Sequence, residues 1–394
     1  MAEITILQVV PRLETGGSEQ STVEITEALI RAGAHALVAT EGGRMATAVT
    51  EAGGEIITLP LASKNPLTIL ANARRLKTIV EARNVTLLHA RSRAPAWSAF
   101  IAARRTKRPF VTTYHGAYSS RAPFKTLYSS VMARGDRVIA NSRYTAGLIA
   151  ARHHIDRAKL RVIYRGIDLS RFTREAVDPQ RLERLRAAWG VKDGQPIVLH
   201  AARLTSWKGQ AHVIEAAQRL AEANRLGEAV FILAGDAQGR EAYRRDLEQR
   251  IAAADLVDRV CLVGHCDDVP AAFALAQVAL IASTSAETFG RTSVESQAMG
   301  CPVILTDVGA APENVIPASG GNADFTGWVV PPADSAALAA RIGEALALSG
   351  PERRALGDRA RRHATAQFAL EEMQRATLAV YDELLGSDLA AKLP

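Results

Sequence analysis

One pattern governs what this chain can fold into: short β-rich runs alternate with helical stretches, and the alternation runs through twice. In the first half ITILQVV, HALVAT, EIITLP, VTLLHA, PFVTTYH and DRVIANS read as strands. Helical apolar spacing separates them, as in Ser18 to Arg31, Pro66 to Ala82 and Tyr144 to Ala151. The second half restarts the rhythm with PIVLHAAR, AVFILAG, RVCLVG, VALIAS and CPVILT. Strands this apolar belong in parallel sheets covered by helices on both faces. Two such series predict an α/β chain of two doubly wound, Rossmann-like domains, and 394 residues are enough for a core in each. The boundary is expected between Arg165 and Gln195, dividing the chain into residues 1–175 and 176–370. Three helical segments follow, at residues 334–348, 351–366 and 369–385.

Composition excludes several classes. With 48% apolar and 23% charged residues the chain is a folded protein rather than a disordered or collagen-like one. Three cysteines, Cys261, Cys266 and Cys301, form neither a disulfide framework nor a zinc ribbon, and suit a reducing compartment. The longest apolar stretch, Ala271 to Ala282, is interrupted by Gln277 and too short to span a bilayer. The opening residues carry Glu3 where a leader would be basic and run into a glycine turn, so a cytoplasmic location is expected.

Charge is unevenly divided. Residues 1–175 hold 26 Lys and Arg against 13 Asp and Glu, a net of +13, whereas the remainder carries −6. Between 91 and 143 there are eleven basic residues and one acidic, Asp136. Such polarity suits a polyanionic or phosphorylated partner, or else a solvated cationic surface.

In doubly wound folds ligands bind at the carboxyl ends of strands, and two such domains place the natural site in the cleft between them. Four loops in such positions carry chemistry. The first holds Gly16 and Gly17, either a tight turn or a close approach to an anion at the following helix N-terminus. It is not a G-x-G-x-x-G dinucleotide fingerprint. The second ends at His115 in TTYHG, able to bond a hydroxyl or phosphate; His89 has the same placement and a stronger structural reading. The third brings Arg203 and Lys208 in HAARLTSWKG, a planar fork and a point charge suited to a diphosphate. The fourth, Glu287-Thr-Phe-Gly-Arg-Thr-Ser-Val-Glu295, places one carboxylate in a loop and the other a turn into a helix. The N–H groups near Gly290 to Ser293 offer an anion site between them.

Taken together, E-x7-E from Glu287 to Glu295, R-x4-K from Arg203 to Lys208, TYHG around His115 and the early Gly-Gly loop resemble the retaining glycosyltransferases of family 4. Asn141-Ser142, Tyr164 to Asp168, Gly264 to Pro270 and Gly309 to Glu313 resemble its connecting motifs, so the likeness covers essentially the whole chain. The resemblance implies a GT-B fold: two Rossmann-like domains facing across a cleft, with a last helix, about residues 371–394, crossing back to the first. It implies that Arg203 and Lys208 hold a donor diphosphate, Glu295 the ribose and Glu287 the donor sugar, with Phe289, Gly290, Arg291 and Thr292 completing the site. His115 would line the sugar site, and Gly16 and Gly17 would approach donor and acceptor. Two departures stand out: Tyr164 where the family often has Pro, and Ala310 where it often has a second Gly.

Arg203, Lys208 and the helix amides suffice to stabilise a leaving diphosphate, and no Asp-x-Asp occurs in these loops, so no metal or other cofactor is expected. The donor would be a nucleoside-diphosphate sugar. The basic first half, interleaved with Trp97, Phe100, Phe110, Tyr114, Tyr118, Phe124 and Tyr128, suits an anionic glycolipid or saccharide acceptor and peripheral contact with the inner membrane surface. The same aromatics are equally readable as core. HARSRAPAWS resembles bacterial members that build lipopolysaccharide core, and no nucleic acid is expected. A transferase with a soluble acceptor, a nucleotide-sugar epimerase and a nucleic-acid binder are the competing classes.

Overall fold

The structure, a computed structural model, describes residues 3–14, 16–116, 123–318 and 321–393, with Pro123 and Phe124 described by backbone alone. Thr15, Tyr118, Arg121 and the Phe124 side chain therefore lie outside the described residues. The chain divides into two units, Met1–Gly166 with Leu370–Pro394, and Ile167–Ala369.

In the first unit the order is β1 (Thr5–Val9), α1 (Gly17–Arg31), β2 (His35–Thr40), α2 (Ala46–Glu51), β3 (Glu55–Thr58), α3 (Pro66–Ala82) and β4 (Leu87–Ala90). There follow α4 (Arg93–Thr106), β5 (Phe110–Tyr114), α5 (Pro123–Ser130), β6 (Arg137–Ala140), α6 (Arg143–His153) and β7 (Leu160–Val162). All seven strands are parallel, in the order β3-β2-β1-β4-β5-β6-β7. Successive strand residues face opposite ways, so one sheet buries two cores. Leu7, Leu88 and Phe110 pack with Leu76, Val80, Ala96 and Ala99 on one face. Ile6, Leu87 and Val111 pack with Ile25 and Leu29 on the other.

The second unit contains α7 (Pro179–Ala188), β8 (Ile197–Ala201), α8 (Gln210–Glu222), β9 (Val230–Ala234), α9 (Glu241–Ala253), β10 (Val260–Gly264) and α10 (Val269–Leu275). It continues with β11 (Val278–Ile281), α11 (Arg291–Ala298), β12 (Val303–Thr306), β13 (Gly327–Val330), α12 (Ser335–Ala347) and α13 (Gly350–Phe368). Its six parallel strands run β10-β9-β8-β11-β12-β13. In both sheets the strand order reverses once, between β1 and β4 and between β8 and β11. Adjacent connections there leave to opposite faces and open a crevice for ligands.

A last helix, α14 (Leu370–Leu385), returns to the first unit. Leu378, Val380 and Tyr381 are buried there, Gln374 Nε2 donates to the Glu24 carbonyl at 2.7 Å, and Glu383 pairs with Arg137 and Arg161, each at 2.7 Å.

The division falls at Gly166, nine residues before the expected 175. Ile167 is fully buried, its N–H donates to the Phe368 carbonyl at 2.9 Å and it bridges to Ala369, so it already belongs to the second unit. A Cβ on Gly166 would lie 2.5 Å from the Leu370 Cα, which explains a glycine at this crossing point.

Candidate functional site

The loops flanking the β8/β11 reversal carry the densest chemistry. After β8 the chain makes a tight turn through Ser206 to Lys208 and opens α8 at Gly209. Gly209 has φ +81°, and a Cβ there would lie 1.9 Å from the Ala282 carbonyl oxygen. Only glycine allows this left-handed turn to lie against the end of β11. The turn is fastened by Thr284 N–H donating to the Trp207 carbonyl at 2.8 Å.

The consequence is a buried ion pair. Lys208 Nζ lies 2.7 Å from Glu287 Oε1, with side-chain exposures of only 16% and 13%. The Ser283 hydroxyl donates to the same oxygen. Glu287 is further fixed through its backbone, which accepts from Ala310 N–H at 2.9 Å and bridges to Gly309. Gly309 has φ +63°, and a Cβ there would lie 2.3 Å from the Glu287 carbonyl oxygen. Ala310 is fully buried, so its methyl is a packing group against this turn.

Gly290, at φ +84°, caps α11 without a side-chain oxygen, and a helix N-terminus suits an anion. Two residues that sequence reasoning missed hold this loop open. Asn314 Nδ2 donates to the Phe289 carbonyl at 2.6 Å and to Ser293 Oγ at 2.8 Å; Gln297 Nε2 donates to the Asn314 carbonyl at 2.8 Å. Both are fully buried. The signal for Asn314 was its place just after the Gly309 to Glu313 motif; for Gln297 there was none.

Arg203, Thr292 and Glu295 line one recess of about 220 Å³ with Gly235, Asp236, Gln238, His265 and Cys266. The Arg203 side chain is exposed and has no ion-pair partner among the described residues. Glu295 lies 3.4 Å from Arg291 across one helical turn. The Phe289 side chain is 2% exposed and packs edge-to-face on Phe368, away from this recess.

Beneath Lys208 sits His200, buried on β8, with Nδ1 2.9 Å from the Leu280 carbonyl. Burial pushes its pKa down to about 4, the Lys208 charge adding to the effect and the Leu280 carbonyl opposing it. It is a neutral imidazole at physiological pH.

In the first unit Gly17 and His115 meet at Arg165, whereas a Cβ on Gly16 would lie against the Glu19 carboxylate. His115 Nδ1 lies 2.9 Å from Arg165 Nη2. Burial, then the charges of Arg165 and Arg91 and the neighbouring His89, hold the His115 pKa well below 6.5. His89 is structural: its two ring nitrogens lie 2.6 Å from the Tyr381 hydroxyl and 2.7 Å from Thr113 Oγ1. Among the described residues no three His, Cys, Asp or Glu side chains are grouped to hold a metal ion.

Residues 15–171 match the family model described as Glycosyltransferase Family 4, and residues 182–363 match Glycosyl transferases group 1. The lipopolysaccharide core biosynthesis mannosyltransferase LpsB of Rhizobium meliloti (strain 1021) is 30% identical over 258 residues, 65% of this chain and 68% of that protein. The D-inositol 3-phosphate glycosyltransferase of Salinispora arenicola (strain CNS-205) is 28% identical over 264 residues, 65% of this chain and 57% of that one. The match thus spans little more than half the length of some curated relatives. A crystal structure of a glycosyltransferase from Rickettsia africae ESF-5 has 32% identity and a TM-score of 0.89, covering 98% of this chain and all of that one. With both sheets, both family models and these relatives in accord, the chain belongs to the family 4 glycosyltransferases and has the GT-B fold.

Proposed function

We propose that this protein is a retaining, metal-independent transferase that moves a sugar from a nucleoside-diphosphate sugar to a lipid-linked or lipopolysaccharide-core type acceptor at the cytoplasmic membrane face. The observation that carries the donor half is the ion pair of Lys208 with Glu287 beside the β8/β11 reversal, with Arg203, Thr292 and Glu295 lining one recess there. Lys208 donates one hydrogen to Glu287 and has two left for phosphate oxygens. Arg203 and the α11 amides complete the cradle, and Glu295 accepts from the ribose diol. As the bond from the anomeric carbon to phosphate oxygen breaks, charge grows on the leaving diphosphate where these groups already point. The acceptor hydroxyl attacks from the same face and passes its proton to the departing phosphate oxygen. Glu287, with Oε1 held by Lys208 and Ser283, positions the sugar hydroxyls rather than acting as a nucleophile. Replacing Lys208 or Glu295 by Ala is expected to lower donor turnover about 100-fold, the scale of losing a charged transition-state contact. Near-wild-type transfer and donor hydrolysis in both variants would defeat the reading.

The membrane part of the reading rests on different residues from those the sequence suggests. Phe110 and Tyr114 are buried in the sheet, Phe100 packs on Phe110, and Trp97 Nε1 donates to the Tyr128 carbonyl at 3.0 Å. These aromatics are core. What is exposed is leucine: Leu67 (76%) and Leu70 (44%) on α3, and Leu127 (58%) on α5. Both segments border the start of α4, through Ser98 to Ile69 and Trp97 to Tyr128. Exposed Lys64, Arg74 and Lys125 flank them. Apolar side chains among cations suit an anionic lipid surface. Flotation with vesicles containing anionic lipid is expected to recover the wild type, and Leu67→Glu with Leu127→Glu to lose at least tenfold of the bound fraction. Equal flotation of both, or none of the wild type, would refute membrane contact through this face.

A further inference from the structure

The second unit has a further cavity, at the opposite end of its sheet from the donor recess. It measures about 320 Å³, and Ile197 at the start of β8 lines it, whereas Ala201 at the end of β8 lines the donor recess. The rise along the strand puts the two about 13 Å apart. Four guanidinium groups surround the cavity: Arg174 before α7, Arg186 in the last turn of α7, and Arg353 and Arg354 near the start of α13. Gln195 and Gln277 add amides, and no carboxylate lines it. Ile197 and Leu275 give it one apolar wall.

These charges are held together rather than splayed into solvent. Arg174 is anchored at the carboxyl end of α11, its Nε donating to the Met299 carbonyl at 3.0 Å and its Nη2 to the Gly300 carbonyl at 3.4 Å. Arg354 folds back over the start of α13, where a Cβ on Gly350 would lie 3.3 Å from its Nη1. Burial pushes the Cys301 thiol up to about 12, and the charges of Arg174 and Arg353 both oppose that shift, so both stand near one buried group. Among the carboxylates nearest in sequence, Asp193 pairs with Arg186 at 2.8 Å but is 91% exposed to water. Glu175 pairs with Arg361 at 3.2 Å, and Glu352 accepts from the Ser349 N–H and hydroxyl at 2.8 and 2.6 Å. Arg174, Arg353 and Arg354 have no ion-pair partner among the described residues. The dipole of α13 also opposes cations near its start. Like charges gathered in this way repel one another unless an anion completes them.

We propose that this cavity binds the phosphate of an organic phosphomonoester, at a site separate from the donor's. Guanidinium forks match phosphate oxygens two at a time, and several around one cavity suit a group with close to two charges and three terminal oxygens. The cavity lies in the size range of small-molecule sites, so it takes the phosphate together with a small organic body against Ile197 and Leu275. A bare inorganic anion would leave that apolar wall unused. A soluble ester and a lipid headgroup present the same phosphate, and the test separates them. The inference does not rest on the transferase reading, since none of its residues lines the donor recess.

Calorimetric titration of glycerol 3-phosphate into the full chain at low salt tests this, with citrate as a polyanion that lacks phosphate. Glycerol 3-phosphate is expected to bind the wild type and Lys208→Ala alike, and more tightly than citrate. Arg186→Gln, Arg353→Gln and Arg354→Gln should each weaken it about tenfold, the scale of one charge-assisted hydrogen bond. Arg174→Gln also removes the contacts to α11 and is paired with a thermal melt; the other three carry the test if it does not fold. A second arm floats the chain with vesicles containing phosphatidate or, at matched charge, phosphatidylglycerol. Weakened titration in the arginine variants with unchanged flotation supports the proposal and assigns the phosphate to a soluble ester. Preferential flotation with phosphatidate that Arg353→Gln and Arg354→Gln remove supports it and assigns the phosphate to a lipid headgroup. No binding in either arm, wild-type behaviour of the Arg353 and Arg354 variants in both, or citrate bound as tightly as the ester would overturn it. Loss of glycerol 3-phosphate binding in Lys208→Ala would place the phosphate in the donor cradle and overturn it as well.

Discussion

His200 shows how a single buried residue beside Lys208 ties the stability of the fold to pH. Its pKa of about 4 in the folded chain lies below the 6.5 of an exposed imidazole. Between those values the unfolded chain binds the extra proton, so stability falls as pH drops from 6.5 towards 4. The effect is about 3 kcal/mol across that window. His200→Gln is expected to flatten the acid limb of a stability–pH curve measured by denaturant melts; an unchanged slope would contradict the assignment. Arg203, Lys208 and Glu287 were legible as candidates because they lie in the loops that follow β8 and β11, and Glu295 because it sits in the first turns of the next helix; strand ends are where doubly wound folds bind ligands. Asn314 and Gln297 were not legible, because their roles depend on partners that only folding brings near. Phe289, in the same motif as Glu295, turns its ring inward to Phe368, an orientation that its place in the sequence did not reveal.

Among the elements, the glycine turns do the positioning. Gly209 brings the Lys208 turn against β11, and Gly309 sets the backbone that holds Glu287. Gly209→Ala combines a left-handed backbone with a carbonyl collision at 1.9 Å. It is expected to lower stability by about 2 kcal/mol or more and to weaken nucleotide-sugar binding further than the melt alone explains. A variant that melts and binds like wild type would show that the turn is not fixed by this contact. Eleven of the thirteen strands were visible as apolar runs. The two that were not, β7 and β13, are short edge strands, LRV and GWVV, the first half-polar and the second opened by a glycine. β7 lacks the buried two-sided pattern of an inner strand, and β13, though largely buried, is only four residues long. Gly327 is in β13 because a Cβ there would meet the Val303 carbonyl at 2.6 Å.

For the whole molecule, the returning helix changes the charge arithmetic. Counted over the observed units, the first carries 26 Lys and Arg against 16 Asp and Glu, a net of +10, and the second −3. The contrast is smaller than +13 and −6 because α14 and the residues after it bring five acidic and two basic residues to the basic unit. Part of that acidity is used internally, Glu383 neutralising Arg137 and Arg161. The central claim is that the second unit recognises a nucleoside-diphosphate sugar through Lys208, Arg203 and Glu295. Titration calorimetry of UDP-, GDP- and ADP-sugars into wild type, Lys208→Ala and Glu295→Ala tests it most directly. The account predicts that one of the donors binds the wild type and loses at least tenfold in affinity in each variant. Binding of none of them, or equal affinity in all three proteins, would contradict it.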